Sequence, residues 1–119
     1  MQAEPLAIEQ PQESEPRAVP LAAVAQIKHI QADGVYVKAY FVPRGTKLYS
    51  KFFPTDHVTI LAMGSIAMEI DGEMKRFVAP AHHVFPANRR IPIFVVEDSV
   101  WYCVHATDET DLSVLEKKY

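Results

Sequence analysis

The stretch GTKLYSKFFPTDHVTILAMG, residues 45–64, decides the fold. On either side of a turn at residues 54–56, apolar and polar side chains alternate with the period of two that a β-strand shows. This pattern predicts one strand over residues 46–53 and a second over residues 57–63. Alternation bounded by Gly and Pro is typical of a sheet that buries one face on a core.

The rest of the chain repeats this pattern of short strands and turns. Asp-Gly pairs, which favour hairpins, stand at residues 33–34 and 71–72. No interior segment shows the 3.6-residue period of a helix. Together with the two strands above, nine strands are predicted, the others covering residues 26–31, 35–42, 65–70, 73–78, 82–85, 93–96 and 99–105. Short strands joined by turns predict an all-β protein, either an antiparallel sandwich or a closed barrel.

The two ends of the chain differ from this β-rich centre. The first 20 residues hold four of the nine prolines, four Glu and one Arg. Because Pro interrupts helices and sheet ladders, we predict an extended arm over residues 1–22 and a barrel domain over residues 23–119. Residues 107–119 predict a short C-terminal helix, with Thr107 or Thr110 as its N-cap.

Two roles are open for the arm. It is either a solvated tail or a tether that lies on a neighbouring subunit or on another structural protein. Four apolar side chains are candidates for anchoring residues 1–20 to such a partner: Leu6, Ile8, Val19 and Leu21.

Composition excludes several classes of function. At 119 residues the chain forms one domain. Its net charge of −3, with no basic cluster larger than residues 89–90, argues against direct nucleic-acid binding. No apolar run approaches the ~18 residues of a membrane span, and the first 20 residues lack the pattern of a signal peptide. The single cysteine, Cys103, excludes an internal disulfide and predicts a small buried side chain.

The spacing of residues 45–64 resembles the first motif of a cupin. Lys51 and Phe53 stand where a cupin has its His-x-His pair, and His57 stands where it has Glu. Gly64 matches the closing glycine, and Ile91 occupies the place of the last His ligand. The spacing is therefore that of a cupin, but the metal ligands are replaced.

Four pieces of sequence extend this resemblance to the small single-domain cupins of tailed phages and bacteria. They are ADGVY, PRGT, DHVTILAMG and VWYCVHATDETD, which begin at residues 32, 43, 56 and 100. The resemblance implies a cupin jelly-roll antiparallel β-barrel with an extended N-terminal arm and a short C-terminal helix. It also implies a virion component or a protein of the host cytoplasm.

The residues that replace the cupin metal ligands argue against a metal site. Phe53 and Ile91 have no lone pair to donate, and the ammonium of Lys51 repels a cation, so we predict no metal and no other cofactor. The alternative is a displaced site built from His57, His105 and His82, or with His83 in place of His82. Without a ligand set the sequence favours a non-enzymatic protein, while a metal-dependent or small-ligand-binding cupin enzyme stays open as the alternative.

A pocket and a surface remain as candidate sites. Tyr49, Lys51, Phe53 and His57 are candidates for lining a small-ligand pocket, although such rings also fill small barrels. Both faces of residues 35–42 are apolar, which predicts a homo-oligomer. The large apolar side chains that exceed one small interior are Tyr36, Tyr40, Phe41, Met63, Met68, Phe94 and Trp101.

Overall fold

A computed structural model describes residues 4–5, 18–20 and 25–119, the first two pieces by their backbone alone. The strands and helix in chain order are β1 (Glu4–Pro5), β2 (Ala18–Pro20), β3 (Gln26–Ala32), β4 (Val35–Val42), β5 (Lys47–Tyr49), β6 (His57–Ile70), β7 (Glu73–Val78), β8 (Ala81–Phe85), β9 (Pro92–Ala106) and α1 (Leu112–Lys118). This confirms the predicted fold class, an antiparallel all-β structure with a short C-terminal helix.

Two long strands, β6 and β9, organise the sheet. The first half of β6 pairs with β8 and with the second half of β9, which also pairs with β4, and β4 pairs with β3. The second half of β6 pairs with β7 and with the first half of β9, which also pairs with β5. The strand order is therefore β3-β4-β9-β6-β8 in a first sheet and β7-β6-β9-β5 in a second.

The two sheets are joined where β6 and β9 bend. The register between these strands shifts at Leu61/Met63, Met63/Ser65 and Ser65/Ile66, around Gly64. Such bulges bend a strand and increase its twist, which lets one strand serve two sheets. The inward side chains of both sheets then share one core, which includes Tyr40, Leu48, Phe53, Leu61, Ile66, Met68, Phe77, Phe85, Ile93, Val95, Trp101 and Cys103.

The structure corrects several predicted elements. The strand predicted over residues 46–53 is only Lys47–Tyr49, because the chain then turns inward to bury Phe53. The strands predicted on either side of residues 64 and 97–98 are continuous, since bulges bend them without ending them. The helix is capped by Asp111, whose carboxylate accepts from the Ser113 amide at 2.9 Å, and not by either predicted threonine.

The described pieces of the arm pair with the barrel's own sheet. Glu4–Pro5 pairs antiparallel with β7, and Ala18–Pro20 pairs in parallel with β5. These pairings cover backbone at the edges of the second sheet. Three of the predicted anchors (Leu6, Ile8 and Leu21) lie outside the described residues, and only the backbone of Val19 is described. The arm's predicted contact with a partner stays a prediction. The one helix that the structure describes is too short to cross a bilayer.

Candidate functional site

One end of the barrel is closed by six packed rings, which we name the ring cluster: Tyr36, Phe53, His57, Phe85, His105 and Tyr119. His57 stands at the start of β6, and His105 lies on the inward face of β9, two positions from Cys103. Their ring centroids are 4.3 Å apart, and Phe53 lies 4.5 Å from His57 and 5.5 Å from His105. Alternation along β6 and β9 therefore turns both histidines into the interior.

The histidine pair is poorly supplied with hydrogen-bond partners. Both side chains are buried, yet three of their four ring nitrogens have no hydrogen-bond partner among the described residues. These are both nitrogens of His105 and the Nδ1 of His57. The Nε2 of His57 lies 3.3 Å from the hydroxyl of Thr59. Burial lowers the pKa of His57 to about 4, and burial with the neighbouring His57, Lys38 and Lys51 lowers that of His105 to about 3.

Two lysines, Lys38 and Lys51, stand beside the ring cluster and form the lysine pair. Both ammonium groups donate to the main-chain oxygen of Tyr119, from Lys38 at 2.8 Å and from Lys51 at 2.7 Å. Burial, followed by the charge of Lys51, lowers the pKa of Lys38 to about 8. Burial also lowers the pKa of Lys51. The site is therefore a positively charged, largely aromatic interior that Tyr119 covers.

The structure brings together three of the four predicted pocket residues and separates the fourth. Phe53 and His57 are in the ring cluster, and Lys51 is beside it. Tyr49 lies elsewhere, with the guanidinium of Arg90 4.7 Å above its ring and equally close to the ring of the exposed Phe52. Of the two aromatic rings of Tyr and Phe predicted to line the pocket, only that of Phe53 does so, because β5 ends at Tyr49 and the chain turns inward after it.

The displaced three-histidine site is not formed as predicted. His82 lies directly opposite Ile60, on the outer face of the sheet, whereas His57 points inward. His83 is on the inward face but packs against Phe77, 5.9 Å between ring centroids. No group of three or more His, Cys, Asp or Glu side chains within the described ranges is arranged to hold a metal ion.

The resemblance to cupins implies a metal, and the residues at this position do not fit one. The histidine pair supplies two imidazoles, whereas divalent ions in proteins take three or more ligands. The third position is the ring of Phe53, and the nearest cations, the lysine pair, repel a metal ion. We therefore assign no metal-dependent step to this site.

The thiol of Cys103 is also unsuited to chemistry. It is buried, and burial raises its pKa to about 12 despite the hydroxyl of Thr59 at 3.9 Å and the nearby charge of Lys38. A thiol becomes a nucleophile only as the thiolate. The prediction that Cys103 is a buried small side chain is confirmed.

Phe53→His is expected to create a metal site. The three rings are separated by 4.3–5.5 Å, close to the roughly 4–6 Å between imidazole centroids around one ion with bonds of about 2.1 Å. Isothermal titration with Zn²⁺ should show one ion per chain for this variant and no saturable binding for the unchanged protein. Phe52→His, at the exposed neighbouring position, is the matched control and should bind none. Stoichiometric zinc on the unchanged chain would show that Phe53 is not the missing ligand.

With the geometry established, the fold can be compared with those of solved proteins. A cupin-2 domain containing protein from Shewanella frigidimarina is 13% identical, with a TM-score of 0.57 over 69% of this chain and 80% of that chain. KdgF from a Halomonas species is 18% identical, with a TM-score of 0.60 over 86% of this chain and 88% of that one. The cupin-2 domain of an XRE family transcriptional regulator from Enterobacter cloacae is 11% identical, with a TM-score of 0.60 over 72% of this chain and 99% of that one.

These likenesses define the class of fold. No family profile matches the sequence, and no curated protein matches it either. The structure is a small cupin jelly roll, which confirms the resemblance based on residues 45–64. The further resemblance to phage cupins stays a prediction.

The sequence did not reveal three members of the site. Lys38 lies on a strand that is otherwise apolar, and its position between Tyr36 and Tyr40 on the inward face was the available signal. The hydroxyl of Tyr36 forms a hydrogen bond of 2.7 Å with the Nδ1 of His29. Burial raises the pKa of Tyr36 to about 12. Tyr119 carried no signal, because nothing local indicates that the residue after α1 enters the barrel.

Proposed function

We propose that the protein is a non-enzymatic cupin module that works by assembling with other copies of itself and with structural proteins. The observation that carries this proposal is an aliphatic row across the outer face of the first sheet. Five side chains stand directly opposite one another on five neighbouring strands: Ile30, Val37, Val104, Val58 and Val84. Three of them are more than 40% exposed (Ile30, Val58 and Val84).

The interior supports a surface-based function. A cavity lined by core residues, next to Phe53 and Trp101, has a volume of about 20 Å³, which is room for about one water molecule and for no larger ligand. Four of the side chains predicted to be in excess fill the core: Tyr36, Tyr40, Met68 and Trp101. The aliphatic row holds three of the eight large apolar side chains that are exposed in the described part of the chain, and of the residues first predicted only Met63 is among these eight.

A second copy of this chain is the partner that fits the aliphatic row. A two-fold interface brings the same patch of both subunits together, so the patch must complement itself. A row of uncharged aliphatic side chains does so, whereas a charged patch would repel its copy. The row lies at the centre of a five-stranded face about 20 Å wide, from the spacing of about 4.8 Å between strands.

The more specific part of the proposal concerns the arm. We propose that residues 1–20 contact another structural protein, and that this partner belongs to a phage virion. The support is the resemblance to small phage cupins and the acidic, proline-rich composition of residues 1–20. Because Ala18–Pro20 and Glu4–Pro5 add to sheet edges within one chain, the same main-chain pairings offer a way to add a strand to a neighbour.

Val58→Glu is expected to dissociate the assembly. Burying an unpaired carboxylate at the centre of an apolar interface should raise the dissociation constant at least about tenfold. Sedimentation velocity of the full chain over a range of concentrations measures this change. Val78→Glu is the matched control, because Val78 is 50% exposed but lies on β7 in the second sheet. A monomeric wild type, or an assembly that survives Val58→Glu, would refute the role of the aliphatic row.

A further inference from the structure

The ring of Tyr119 occupies the barrel as a bound aromatic ligand would. It is 2% exposed and stacks on His105, with 4.2 Å between centroids and 22° between planes. Tyr36 contacts it from a second side at 6.1 Å. Aromatic contacts of this kind add attraction beyond the area they bury. The pocket around this ring is therefore built from other strands and is filled by the end of a separate segment.

The polar side of this pocket is built for an anion. The lysine pair converges on one main-chain oxygen, at 2.8 and 2.7 Å, and burial followed by the charge of Lys51 lowers the pKa of Lys38. An ionised carboxylate at this oxygen's position would accept from both lysines and neutralise them. Beneath the ring, His105 is 1% exposed and both of its nitrogens lack a partner among the described residues, so a polar ligand atom would find a partner there.

The segment that fills the pocket is held by few contacts of its own. Helix α1 has seven residues and buries only Leu115, and a helix this short is unstable unless packed against the barrel. Outside the pocket, Glu116 pairs with His29 at 3.0 Å and Gln31 donates to the main-chain oxygen of Thr110 at 3.1 Å. Exposed contacts of this kind contribute little, so the attachment comes mainly from the buried side chains of Tyr119 and Leu115, with Leu112 packed against them.

We infer that residues 112–119 are a displaceable plug in a binding site for small aromatic carboxylates that carry a phenol ring. The chain's own Tyr119 places its ring and its acyl oxygen where the ring and carboxylate of the ligand would lie. The site lies inside the barrel and is therefore distinct from the aliphatic row. The inference does not depend on whether the protein assembles through that row.

Tyr119→Ala in the full chain tests this inference, with 4-hydroxyphenylacetate as the probe. The substitution removes the ring and leaves the main chain and Leu115, so the probe should bind at least about tenfold more tightly than to the unchanged protein. Calorimetric titration measures the affinity, and near-ultraviolet circular dichroism checks that the variant is folded. Adding Lys38→Met should weaken binding again by about tenfold, because one of two charge-assisted hydrogen bonds is lost. Lys28→Met is the control, because Lys28 is an exposed lysine that lies over the ring of Phe41. Adding this substitution should leave the affinity for the probe unchanged.

A second variant keeps the inference testable if Tyr119→Ala unfolds. Asp111→Ala removes the N-cap of α1 and should raise the apparent affinity of the unchanged pocket for the probe about fivefold, by loosening the plug. Asp108→Ala, an exposed neighbour before the helix, should have no effect. Equal binding to all variants would place the probe elsewhere, and no binding to a folded Tyr119→Ala chain would refute the site; both results overturn the inference.

Discussion

Gly64→Ala is expected to lower the free energy of unfolding by about 4 kcal/mol, the sum of a strained backbone and a steric overlap. Gly64 has a φ of +91°, a conformation that side chains disfavour. A methyl group there would overlap the main-chain oxygen of Asp98 and the hydroxyl of Ser99, and would lie 2.8 Å from the Cα of Ser99. These atoms belong to the adjacent long strand, so the methyl group cannot be accommodated by turning a side chain.

The cost is large because the overlap falls where β6 and β9 bend together. The amide of Ser65 donates to the hydroxyl of Ser99 at 3.2 Å, and the amide of Ala79 donates to the oxygen of Gly64 at 3.0 Å. Ser65 and Ser99 are buried, so separating the strands would leave polar groups without partners. Relief of the overlap therefore disrupts the joint between the two sheets.

Gly72→Ala is the matched control. Gly72 also has a positive φ, +83°, but a methyl group there meets nothing within 4 Å. This variant should lose only the cost of the left-handed backbone, about 1–2 kcal/mol. Urea unfolding of both variants, followed by intrinsic fluorescence, compares them directly. Equal losses for the two variants would show that the contact between Gly64 and β9 does not limit the fold.

The bend at Gly64 also shows how far the sequence predicts the fold. Period-two alternation and Asp-Gly turns predicted the strands, and the hairpin at Asp71 and Gly72 has positive φ at both residues, as such a turn requires. The spacing that resembles a cupin marked Gly64, but the sequence did not show that one bent strand continues through this residue. A bulge depends on the register of a partner strand, here β9, which no local pattern records.

The sequence predicted only part of the candidate site, because the site also depends on contacts between distant residues. The cupin-like spacing marked Phe53 and His57 as candidates, and His105 was predicted only as a member of the displaced histidine site. The lysine pair and Tyr119 meet only because α1 folds back over the barrel, at separations of 81 and 68 residues in sequence. The positions of Tyr49 and His82 away from the ring cluster could not be predicted either, since each depends on where its strand begins and ends.

Acidification from pH 7.5 to pH 5 is expected to cost about 4 kcal/mol of stability through the histidine pair, about 2 kcal/mol for each ring. In the folded protein the pKa values of His57 and His105 are lowered from 6.5 to about 4 and about 3, chiefly by burial. In the unfolded chain both keep the ordinary value. The unfolded state therefore binds more protons between these limits, so stability is full above about pH 6.5 and is lost as the pH falls toward 4.

The surroundings of the pair explain why a proton is resisted. Each charged imidazole would face the other at 4.3 Å and would lie among the rings of Phe53 and Tyr119. The lysine pair adds two positive charges that act on His105, and the one carboxylate that favours a proton on His57 is that of Asp56, which is exposed. No charge in this group compensates for two buried imidazolium ions.

Substitutions of single histidines distinguish the contribution of the histidine pair to the pH dependence of stability from that of other acid-sensitive groups. His105→Phe keeps a ring against Tyr119 and removes one titrating site, so its loss of stability between pH 7.5 and pH 5 should be about 2 kcal/mol smaller than that of the unchanged protein. His82→Leu, on the outer face, should keep the whole loss. Urea midpoints at the two pH values measure the difference. If His105→Phe and His82→Leu show the same pH dependence, then His105 is charged inside the folded barrel. A partner that the described residues do not supply must in that case reach its buried nitrogens.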